Sequence, residues 1–450
     1  MHPLLPTQQS LPLFNVAASR RIEARALLHT PDLMARAGLA VAKLALALRR
    51  GPGPIWIVCG PGNNGGDGRV AEQLLTRHGV GTHIAATPPE QPALVIDALL
   101  GLGLNRAPSA DMAATITAMQ ACGAPILAVD LPSGLLADTG QAAGNCAVRA
   151  DHTLALLTLK PGLLTGEGRA HTGQLWFDDL GVTPDEPPTA LLLGPPTRPD
   201  RRPTSHKGSH GEVLVVGGAP GMQGAARLAA RAALACGAGR VYVDLLDLAA
   251  DEVADPVRPE LMRGRLSRLP QAVGVVGCGA GHGIAHDMPG LLHTLPRLVI
   301  DADALNAIAA DADLQDAVRR RPPASTVLTP HPLEAARLLA CDVASIQCDR
   351  LAAATELARQ LRCTVVWKGS GSVVASPGEC PALSGSGGPA LATAGSGDVL
   401  AGWLGGLWAQ QPDAPAHAIA CQGVEAHGRA GEVPGVLCAG DLIDRLAHWP

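Results

Sequence analysis

The chain is poor in aromatic residues, which make up only 2% of its 450 residues. Hydrophobic residues nevertheless make up 47% and charged residues 17%, as in globular proteins rather than disordered ones. Together with 53 glycines, this composition predicts cores of Ala, Leu and Val and many tight turns between strands and helices. Because domains usually span roughly 100–200 residues, the length predicts two or three of them.

Features that mark several other classes of protein are missing as well. The formal net charge is -5, so no basic surface for nucleic acid is expected. No apolar stretch reaches the roughly 18–20 residues of a membrane span, and no basic-then-apolar signal segment opens the chain. The 11 cysteines form no CxxC pair, which argues against zinc and favours free thiols in a reducing compartment. A cytoplasmic protein without membrane or nucleic-acid partners is therefore expected.

Prolines divide the chain into two parts. They are concentrated between Val182 and Ser205, at positions 184, 187, 188, 195, 196, 199 and 203. Such a segment suits neither a helix nor a central strand and is typical of a linker. We therefore predict one domain over 1–182, a linker over 183–205 and a second domain over 206–450.

Both parts alternate strand and helix signals. Short apolar runs that lead into Gly, Asp or Lys are typical of buried parallel strands, and they occur at 55–59, 94–96, 126–129, 213–216, 273–276, 298–300 and 364–366. Helical periodicity lies between them, and Thr30-Pro31-Asp32 is expected to cap one such helix. The pattern predicts an α/β fold in each domain, the first a Rossmann-like, doubly wound sheet with ligands at the strand C-termini.

The first predicted strand runs into a polar glycine loop, Gly60-Pro61-Gly62-Asn63-Asn64-Gly65-Gly66-Asp67-Gly68. Its glycines would let backbone amides approach an anion at the start of a helix. The loop also satisfies GxGxxG, but that match alone is weak. A redox Rossmann domain needs an acid at the end of the next strand, where this chain has Thr87-Pro88, so a dehydrogenase is disfavoured.

The next two strand candidates each end in a carboxylate. Asp97 follows the run at 94–96, and Asp130 opens Asp130-Leu131-Pro132-Ser133-Gly134. A single Asp at such a place more often caps the following helix. Polar residues at three successive strand ends converge above one sheet edge, which favours a site instead.

These segments resemble the NAD(P)H-hydrate epimerases over about residues 15–182. The resemblance rests on the loop at 62–68, on Asp97-Ala98-Leu99, on 130–134, and on the segments 33–38 and 158–162. It implies a potassium ion held by Asn64, Asp97 and Ser133, and Asp130 as the residue that transfers protons. It further implies that the hydrate contacts Asp130 and the residues Asn63, Asn64, Gly65, Gly66, Asp67, Gly101, Leu102, Gly103, Leu104, Asn105, Arg106 and Ala107. Ala35 stands where the family usually has Glu. That Glu is interpreted as structural rather than catalytic, so its absence does not count against the resemblance.

The second part carries the strongest motif of the chain, Ala392-Thr393-Ala394-Gly395-Ser396-Gly397-Asp398, followed by an apolar helix at 399–407. Backbone amides of the glycines would form an anion hole at the helix N-terminus, with Asp398 in the first turn. The competing explanation is an acid that merely complements the helix dipole. The glycines before it favour a phosphoryl-transfer site.

This motif resembles the GxGD motif of the ribokinase-like fold, and other segments resemble the ADP-dependent NAD(P)H-hydrate dehydratases over about residues 198–447. Those segments lie at 206–211, 224–226, 301–306, 329–334 and 368–372. The resemblance implies hydrate contacts at Ala225, Gly279, Gly281, His331 and Asp398. It implies nucleotide contacts at Lys368, Gly369, Ser370, Gly371, Ser372 and Gly397. Cys278 replaces the family's usual Pro and Ser372 its usual Thr.

The two resemblances together imply a bifunctional repair enzyme for hydrated NADH and NADPH. An epimerase would interconvert the R and S hydrates with K⁺ as cofactor, and a dehydratase would convert the S-hydrate to NAD(P)H. ADP with Mg²⁺ would phosphorylate the C6 hydroxyl, with Asp398 as the base, and phosphate would then leave. The expected partners are these small molecules, and a homo-oligomer is expected.

Two alternatives stay open. One is a ribokinase-like kinase for a vitamin precursor or sugar, with a non-catalytic nucleotide-binding first domain; the segments at 301–306 and 329–334 speak against it. The other is a first domain that senses nucleotides without catalysis, against which Asp130 and Ser133 argue.

Overall fold

Two units, Met1–Leu192 and Leu193–Pro450, make up the computed structural model, which describes residues 3–247 and 254–448. The strands of unit 1 are β1 Leu11–Leu13, β2 Ile55–Cys59, β3 Thr82–Ile84, β4 Leu94–Ala98, β5 Ile126–Val129, β6 His152–Leu156, β7 Gln174–Asp178 and β8 Ala190–Leu192. Its helices are α1 Val16–His29, α2 Leu33–Leu48, α3 Asn63–Arg77, α4 Ala110–Ala121 and α5 Gly168–Thr172.

The sheet of unit 1 has the strand order β3-β2-β4-β5-β6-β7, and each neighbouring pair is parallel. Side chains of β2 alternate between two buried clusters, because successive residues of a strand point to opposite faces. Ile55 and Ile57 pack with α1, α2 and α3 on one face. Trp56 and Val58 pack with residues of α4 on the other. Helices therefore cover both faces, as predicted for a doubly wound sheet.

Two local expectations need correction. Thr30 does not cap α2 but follows the last turn of α1, and Asp32 is the N-cap residue of α2. Asp32 gives no side-chain cap bond and pairs with Arg36 instead. Ala190–Leu192 forms β8, antiparallel to β1, inside the segment predicted as a linker. Its three residues lie between prolines and keep the backbone N–H groups that a strand needs.

Unit 2 contains a larger set of elements. Its strands are β9 Glu212–Gly217, β10 Arg240–Leu245, β11 Met262–Arg263, β12 Val273–Val276, β13 Arg297–Ile300, β14 Thr326–Leu328, β15 Thr364–Trp367, β16 Val373–Ala375 and β17 Ala382–Leu383. Its helices are α6 Gln223–Cys236, α7 Ile284–Thr294, α8 Ala302–Ala310, α9 Ala312–Arg319, α10 Pro332–Leu339, α11 Val343–Cys348, α12 Arg350–Leu361, α13 Ser396–Gln410, α14 Ala416–Ala430 and α15 Ala439–Ala447.

The sheet of unit 2 runs in the order β17-β16-β15-β14-β13-β12-β9-β10-β11. Its pairs are parallel from β15 to β11, and β16 and β17 add antiparallel strands at one side. The predicted α/β class is thereby confirmed in both units. In the described part of the chain, no helix is both long and apolar enough to cross a bilayer.

Close packing of two helices fixes the start of α13. A Cβ added to Gly402 would lie 1.9 Å from the carbonyl oxygen of Ala229, so only glycine permits this approach to α6. The facing side of α6 is lined by buried alanines. This packing holds the N-terminal turn of α13, which carries Asp398, near Asp301 at the C-terminal end of β13.

Candidate functional site

A cavity of about 590 Å³ opens in unit 1 beside the C-terminal ends of β2, β4 and β5. This is the edge where a doubly wound sheet binds its ligands. Of the residues predicted to contact the hydrate, those that line the cavity are Asn63, Asn64, Asp67, Gly101, Leu102, Gly103, Leu104 and Asp130. Residues from three separate segments therefore surround one space.

The other predicted substrate residues are not part of this lining. They are Gly65, Gly66, Asn105, Arg106 and Ala107, none of which borders the cavity. A Cβ on Gly65 would lie 1.9 Å from the carbonyl oxygen of Gly60, and one on Gly60 would lie 1.8 Å from that of Leu99. Both glycines are thus required by close backbone contacts that shape the loop.

Oxygen atoms from three segments lie close together beside this cavity. Ser133 donates from its hydroxyl to Asp97 at 2.5 Å, and its backbone N–H donates to the same carboxylate at 2.8 Å. Asn64 donates from Nδ2 to the carbonyl oxygen of Leu100 at 2.8 Å. The Oδ1 atom of Asn64 is buried and has no hydrogen-bond partner. Because an unpaired buried oxygen is costly, this set of oxygens fits the predicted potassium ion.

Asp130 is paired with a residue that the sequence analysis did not assign to the site, Lys160. The Lys160 side chain is 1% exposed, and its Nζ donates to Asp130 Oδ1 and, at 2.9 Å, to the carbonyl oxygen of Leu156. Asp130 has φ +66°, a conformation that residues other than glycine rarely adopt. Such strain at a cavity wall is typical of functional sites.

A second carboxyl group, Asp67, projects from α3 into the same cavity. Burial raises the pKa of Asp67 to about 8, and the nearby Asp130 and Glu23 carboxylates add to the effect. Glu23, on α1, also accepts a hydrogen bond from Asn63 Nδ2 at 3.2 Å. The cavity therefore holds one carboxyl that is neutral at pH 7 and one that is paired with a lysine.

The predicted phosphate site of unit 2 lies at the N-terminus of α13. Gly395 precedes the helix with φ +88°, and Asp398 lies in its first turn as predicted, although the helix begins at Ser396 rather than at the predicted position 399. A Cβ on Gly397 would lie 3.2 Å from Lys368 Nζ, which places the lysine beside the glycine amides. A transferred phosphoryl group here would meet backbone N–H groups and an ammonium group together.

Asp301, at the end of β13, holds this lysine in place. Its Oδ1 atom accepts from Lys368 Nζ at 2.7 Å and from the hydroxyl of Thr329 at 2.8 Å. The Asp301 side chain is 2% exposed. Sequence reasoning placed Asp301 in a family motif without giving it a role, although it ends a predicted strand as Asp97 does.

Three potential metal ligands surround the same point. Ligand atoms of Cys278, Asp301 and Asp398 lie within 4.8 Å of one another. Magnesium prefers oxygen ligands and keeps several waters, whereas this group offers a thiol and a carboxylate already paired with Lys368. These residues do not fit a magnesium site formed by the protein alone.

Cys278, which replaces the family's usual Pro, contacts Asp398 directly. Burial raises the pKa of the Cys278 thiol well above its usual value, so it stays protonated and can donate to the carboxylate. Burial raises the pKa of Asp398 to about 6, with Asp301 adding to the rise and the Cys278 hydrogen bond and Lys368 opposing it. Asp398 is therefore ionised at neutral pH, as a base must be.

His331 caps α10 and has both ring nitrogens engaged. Nδ1 accepts from the backbone N–H of Leu333 at 3.1 Å, and Nε2 lies 3.2 Å from Glu334 Oε1. The Glu334 carboxylate also accepts from the His331 backbone N–H at 2.8 Å, which completes a capping box. A hydrate contact at His331 would thus use the face of the ring, since its side chain is 47% exposed.

The predicted glycine turn after β12 packs against the start of α6. A Cβ on Gly279 would lie 2.9 Å from the Cβ of Ala225, so these two predicted hydrate residues are neighbours. Gly281 has φ +62° and donates from its backbone N–H to Asp303 at 2.8 Å. The turn therefore has a fixed shape even though Cys278 stands within it.

The predicted nucleotide loop, comprising Lys368, Gly369, Ser370, Gly371 and Ser372, lies over a buried arginine. Arg350 donates to the carbonyl oxygens of Lys368 at 3.3 Å and Gly371 at 3.4 Å. It is 3% exposed, and sequence reasoning missed it because a lone Arg at the start of a helix gives no signal. Ser372 closes the loop by donating to the Gly369 carbonyl oxygen at 3.2 Å.

Comparisons with known proteins agree with this division into two sites. A family described as "NAD(P)H-hydrate dehydratase" matches residues 213–434. A family described as "YjeF-related protein N-terminus" matches residues 30–93 and 81–162. Each match spans the strand-end residues of one site.

Curated relatives match both parts together. A bifunctional NAD(P)H-hydrate repair enzyme of Escherichia coli is 36% identical over 452 residues, covering 89% of this chain and 85% of that protein. One of Coxiella burnetii is 34% identical over 470 residues, covering 92% of this chain and 94% of that protein. The solved structure of an ADP/ATP-dependent NAD(P)H-hydrate dehydratase from Bacillus subtilis is 29% identical, with a TM-score of 0.46, and covers 56% of this chain and 92% of that one.

Proposed function

Because this chain belongs to the family of bifunctional NAD(P)H-hydrate repair enzymes, we propose that each unit carries one of its two reactions. Unit 1 interconverts the R and S hydrates of NADH and NADPH. Unit 2 uses ADP to dehydrate the S-hydrate, which restores NAD(P)H and releases AMP and phosphate. The family membership disfavours the vitamin-precursor kinase that the ribokinase-like motif also allows.

In unit 1 the bond between C6 and its hydroxyl oxygen must break and form again on the other face of the ring. Asp67, neutral at pH 7, is suited to protonate the departing hydroxyl, while the ring nitrogen supplies the electron pair that stabilises C6. The carboxylate of Asp130, held by Lys160, is suited to take the proton of the water that returns, and proton exchange with solvent then restores both carboxyl groups to their starting states. When bound by Asn64, Asp97 and Ser133, K⁺ would supply positive charge close to the anionic substrate.

In unit 2 the hydroxyl must become a better leaving group. Asp398 takes its proton, the hydroxyl oxygen attacks the β-phosphorus of ADP, and the bond to AMP breaks. The ring nitrogen then expels phosphate from C6, and loss of a proton from C5 completes the double bond of NAD(P)H. The amides of 395–397 and Lys368 stabilise the phosphoryl oxygens during transfer.

One observation supports this assignment more than any other. Asp398 lies at a helix N-terminus formed by glycines, within 4.8 Å of Asp301, which in turn binds Lys368. An acid that only complemented the helix dipole would need neither the lysine nor the second carboxylate. We infer that Mg²⁺ enters this site with the nucleotide phosphates, as that ion is commonly bound in nucleotide sites.

The test is a recovery assay with purified protein, ADP and a mixture of both hydrates. The absorbance of reduced nicotinamide should return completely with the unmodified chain. Asp398→Asn should recover nothing, and Asp130→Asn should leave one hydrate unconverted. Absence of recovery with ADP, together with ATP-dependent phosphorylation of a vitamin alcohol, would contradict the proposed function.

We also propose that the protein acts in the cytoplasm and as a homo-oligomer. The location is supported by the cysteines, all of which are free in the structure, as expected of a reducing compartment. The oligomeric state can be measured by light scattering.

A further inference from the structure

The mouth of the unit 1 cavity carries an unpaired cation, Arg20. Arg20 lies on α1, lines the cavity together with Glu23, and is exposed. Its guanidinium group points toward the loop after β4, since a Cβ added to Gly103 would lie 4.0 Å from Arg20 Nη2. Within residues 3–247 and 254–448, this guanidinium group has no hydrogen-bond or ion-pair partner.

The other charged groups that line this cavity are either acids or already part of an ion pair. Lys160 is bound to Asp130 and is almost fully buried. The acids are Glu23, Asp67 and Asp130. Among the described lining residues, Arg20 is therefore the cation free to meet an incoming anion.

The substrate of the proposed epimerase is itself anionic. A hydrated dinucleotide carries two negative charges on its pyrophosphate, which is separated from the reacting ring by a ribose. With the ring placed beside Asp67 and Asp130, as the proposed reaction requires, the pyrophosphate would extend toward the mouth of the cavity, where Arg20 is exposed. A guanidinium group suits this task, because its fork of donors matches phosphate oxygens and its charge is permanent.

We propose that Arg20 binds the pyrophosphate of the hydrated dinucleotide and so sets the affinity of unit 1 for its substrate. This inference rests on the epimerase function proposed above. With Asp67 neutral at pH 7 and Asp130 paired with Lys160, Arg20 also offsets the charge of Glu23, the remaining acid of the cavity lining, which by itself would repel the substrate.

The chain provides a matched control on the same helix. Arg21 follows Arg20 directly, but its Nε donates to Glu186 at 2.7 Å, and it does not line the cavity. Replacing Arg21 by Ala removes the same charge one residue away. Any general effect of lost positive charge on α1 will therefore appear in both variants.

The experiment measures interconversion of the R and S hydrates by the full chain without ADP, using chromatography. The substrates are the hydrates of NADH, of NADPH and of reduced nicotinamide riboside, which has no phosphate. Arg20→Ala should raise KM for both dinucleotide hydrates about tenfold with kcat unchanged, as when uniform binding is lost. It should leave the riboside hydrate unaffected, Arg20→Lys should recover part of the loss, and Arg21→Ala should match the unmodified chain.

Several results would overturn the inference. An equal loss on the riboside hydrate would mean that Arg20 supports the fold of the cavity. A loss confined to the NADPH hydrate would assign Arg20 to the 2′-phosphate, and unchanged KM values would leave it no part in binding. Failure of the unmodified chain to interconvert any hydrate would instead contradict the epimerase function itself.

Discussion

Lys368 Nζ lies 2.7 Å from Asp301 Oδ1, beside the glycines that begin α13. The two residues follow different strands, and the pair is largely removed from solvent. A buried ion pair contributes little net stability, whereas removal of one partner leaves an unpaired charge. The pair therefore serves mainly to hold the lysine in the orientation that phosphoryl transfer needs.

Replacement of Asp301 tests this relationship. Asp301→Asn should lower ADP-dependent dehydration by roughly a hundredfold and destabilise unit 2 by about 3 kcal/mol, because Lys368 loses its anion. Steady-state kinetics and thermal unfolding measure the two effects. Asp311→Asn is the control, since Asp311 is an exposed N-cap residue and Asn caps equally well. Equal activities in the two variants would refute the role given to Asp301.

The pH dependence of dehydration reports the ionisation of Asp398. A base acts when it is deprotonated, so with a pKa of about 6 the rate should be level at neutral pH and fall below pH 6. Cys278→Ala removes a hydrogen bond that favours the carboxylate, which should move this fall to higher pH. Cys278→Ser retains a donor and should keep the original profile. The measurement is kcat/KM for the S-hydrate against pH.

If the unmodified chain, Cys278→Ala and Cys278→Ser all show the same pH profile, the thiol does not influence the ionisation of Asp398. A drop in the rate of both variants at every pH would indicate a packing effect, because Cys278 is fully buried.

Epimerisation should depend on pH in the opposite direction. The acid form of Asp67 is the active one, so the enzymatic rate should fall as pH rises through about 8, the pKa to which burial raises this group. Asp67→Asn should remove most of the rate, whereas Glu72→Gln, on the same helix but outside the cavity, should not. Chromatographic ratios of the hydrates, corrected for the reaction without enzyme, provide the test. A rate that rises across this range would exclude Asp67 as the acid.

Potassium binding can be measured without any catalytic assay. A ligand that binds only the folded state raises the melting temperature, so unit 1 should melt higher in K⁺ than in choline at equal ionic strength. Asn64→Ala removes the unpaired Oδ1 and should abolish this difference. Asn105→Ala, outside the cavity lining, should preserve it. An unchanged difference in Asn64→Ala would place the ion elsewhere.

Much of the fold could be predicted because buried parallel strands have continuous apolar sequences. The runs that became β2, β4, β5, β9, β12, β13 and β15 were recognised in this way. β6 was not, since it begins at His152 and contains Thr153, whose hydroxyl is satisfied by the carbonyl oxygen of Thr172. β14 has only three residues, which is too short for a pattern.

The candidate sites could be predicted where residues end a strand or lie in a recognisable motif at the start of a helix. Asp97, Asp130 and Asp398 follow recognisable local patterns. Lys160 and Arg350 gain their roles from contacts between distant parts of the chain, 30 and 18 residues apart in sequence. A lysine directly after an apolar stretch was the available signal for Lys160, because such a charge needs a buried partner.

The contact of Gly65 with Gly60, and of Gly60 with Leu99, limits how this enzyme can evolve. Neither glycine can accept a side chain without separating two backbone segments, so the backbone of the loop after β2 is closed to gradual change. Positions that line the cavity outside this loop, such as Leu102 and Leu104, remain open to variation. Natural or laboratory selection for a different hydrated cofactor should therefore accumulate its substitutions at those positions.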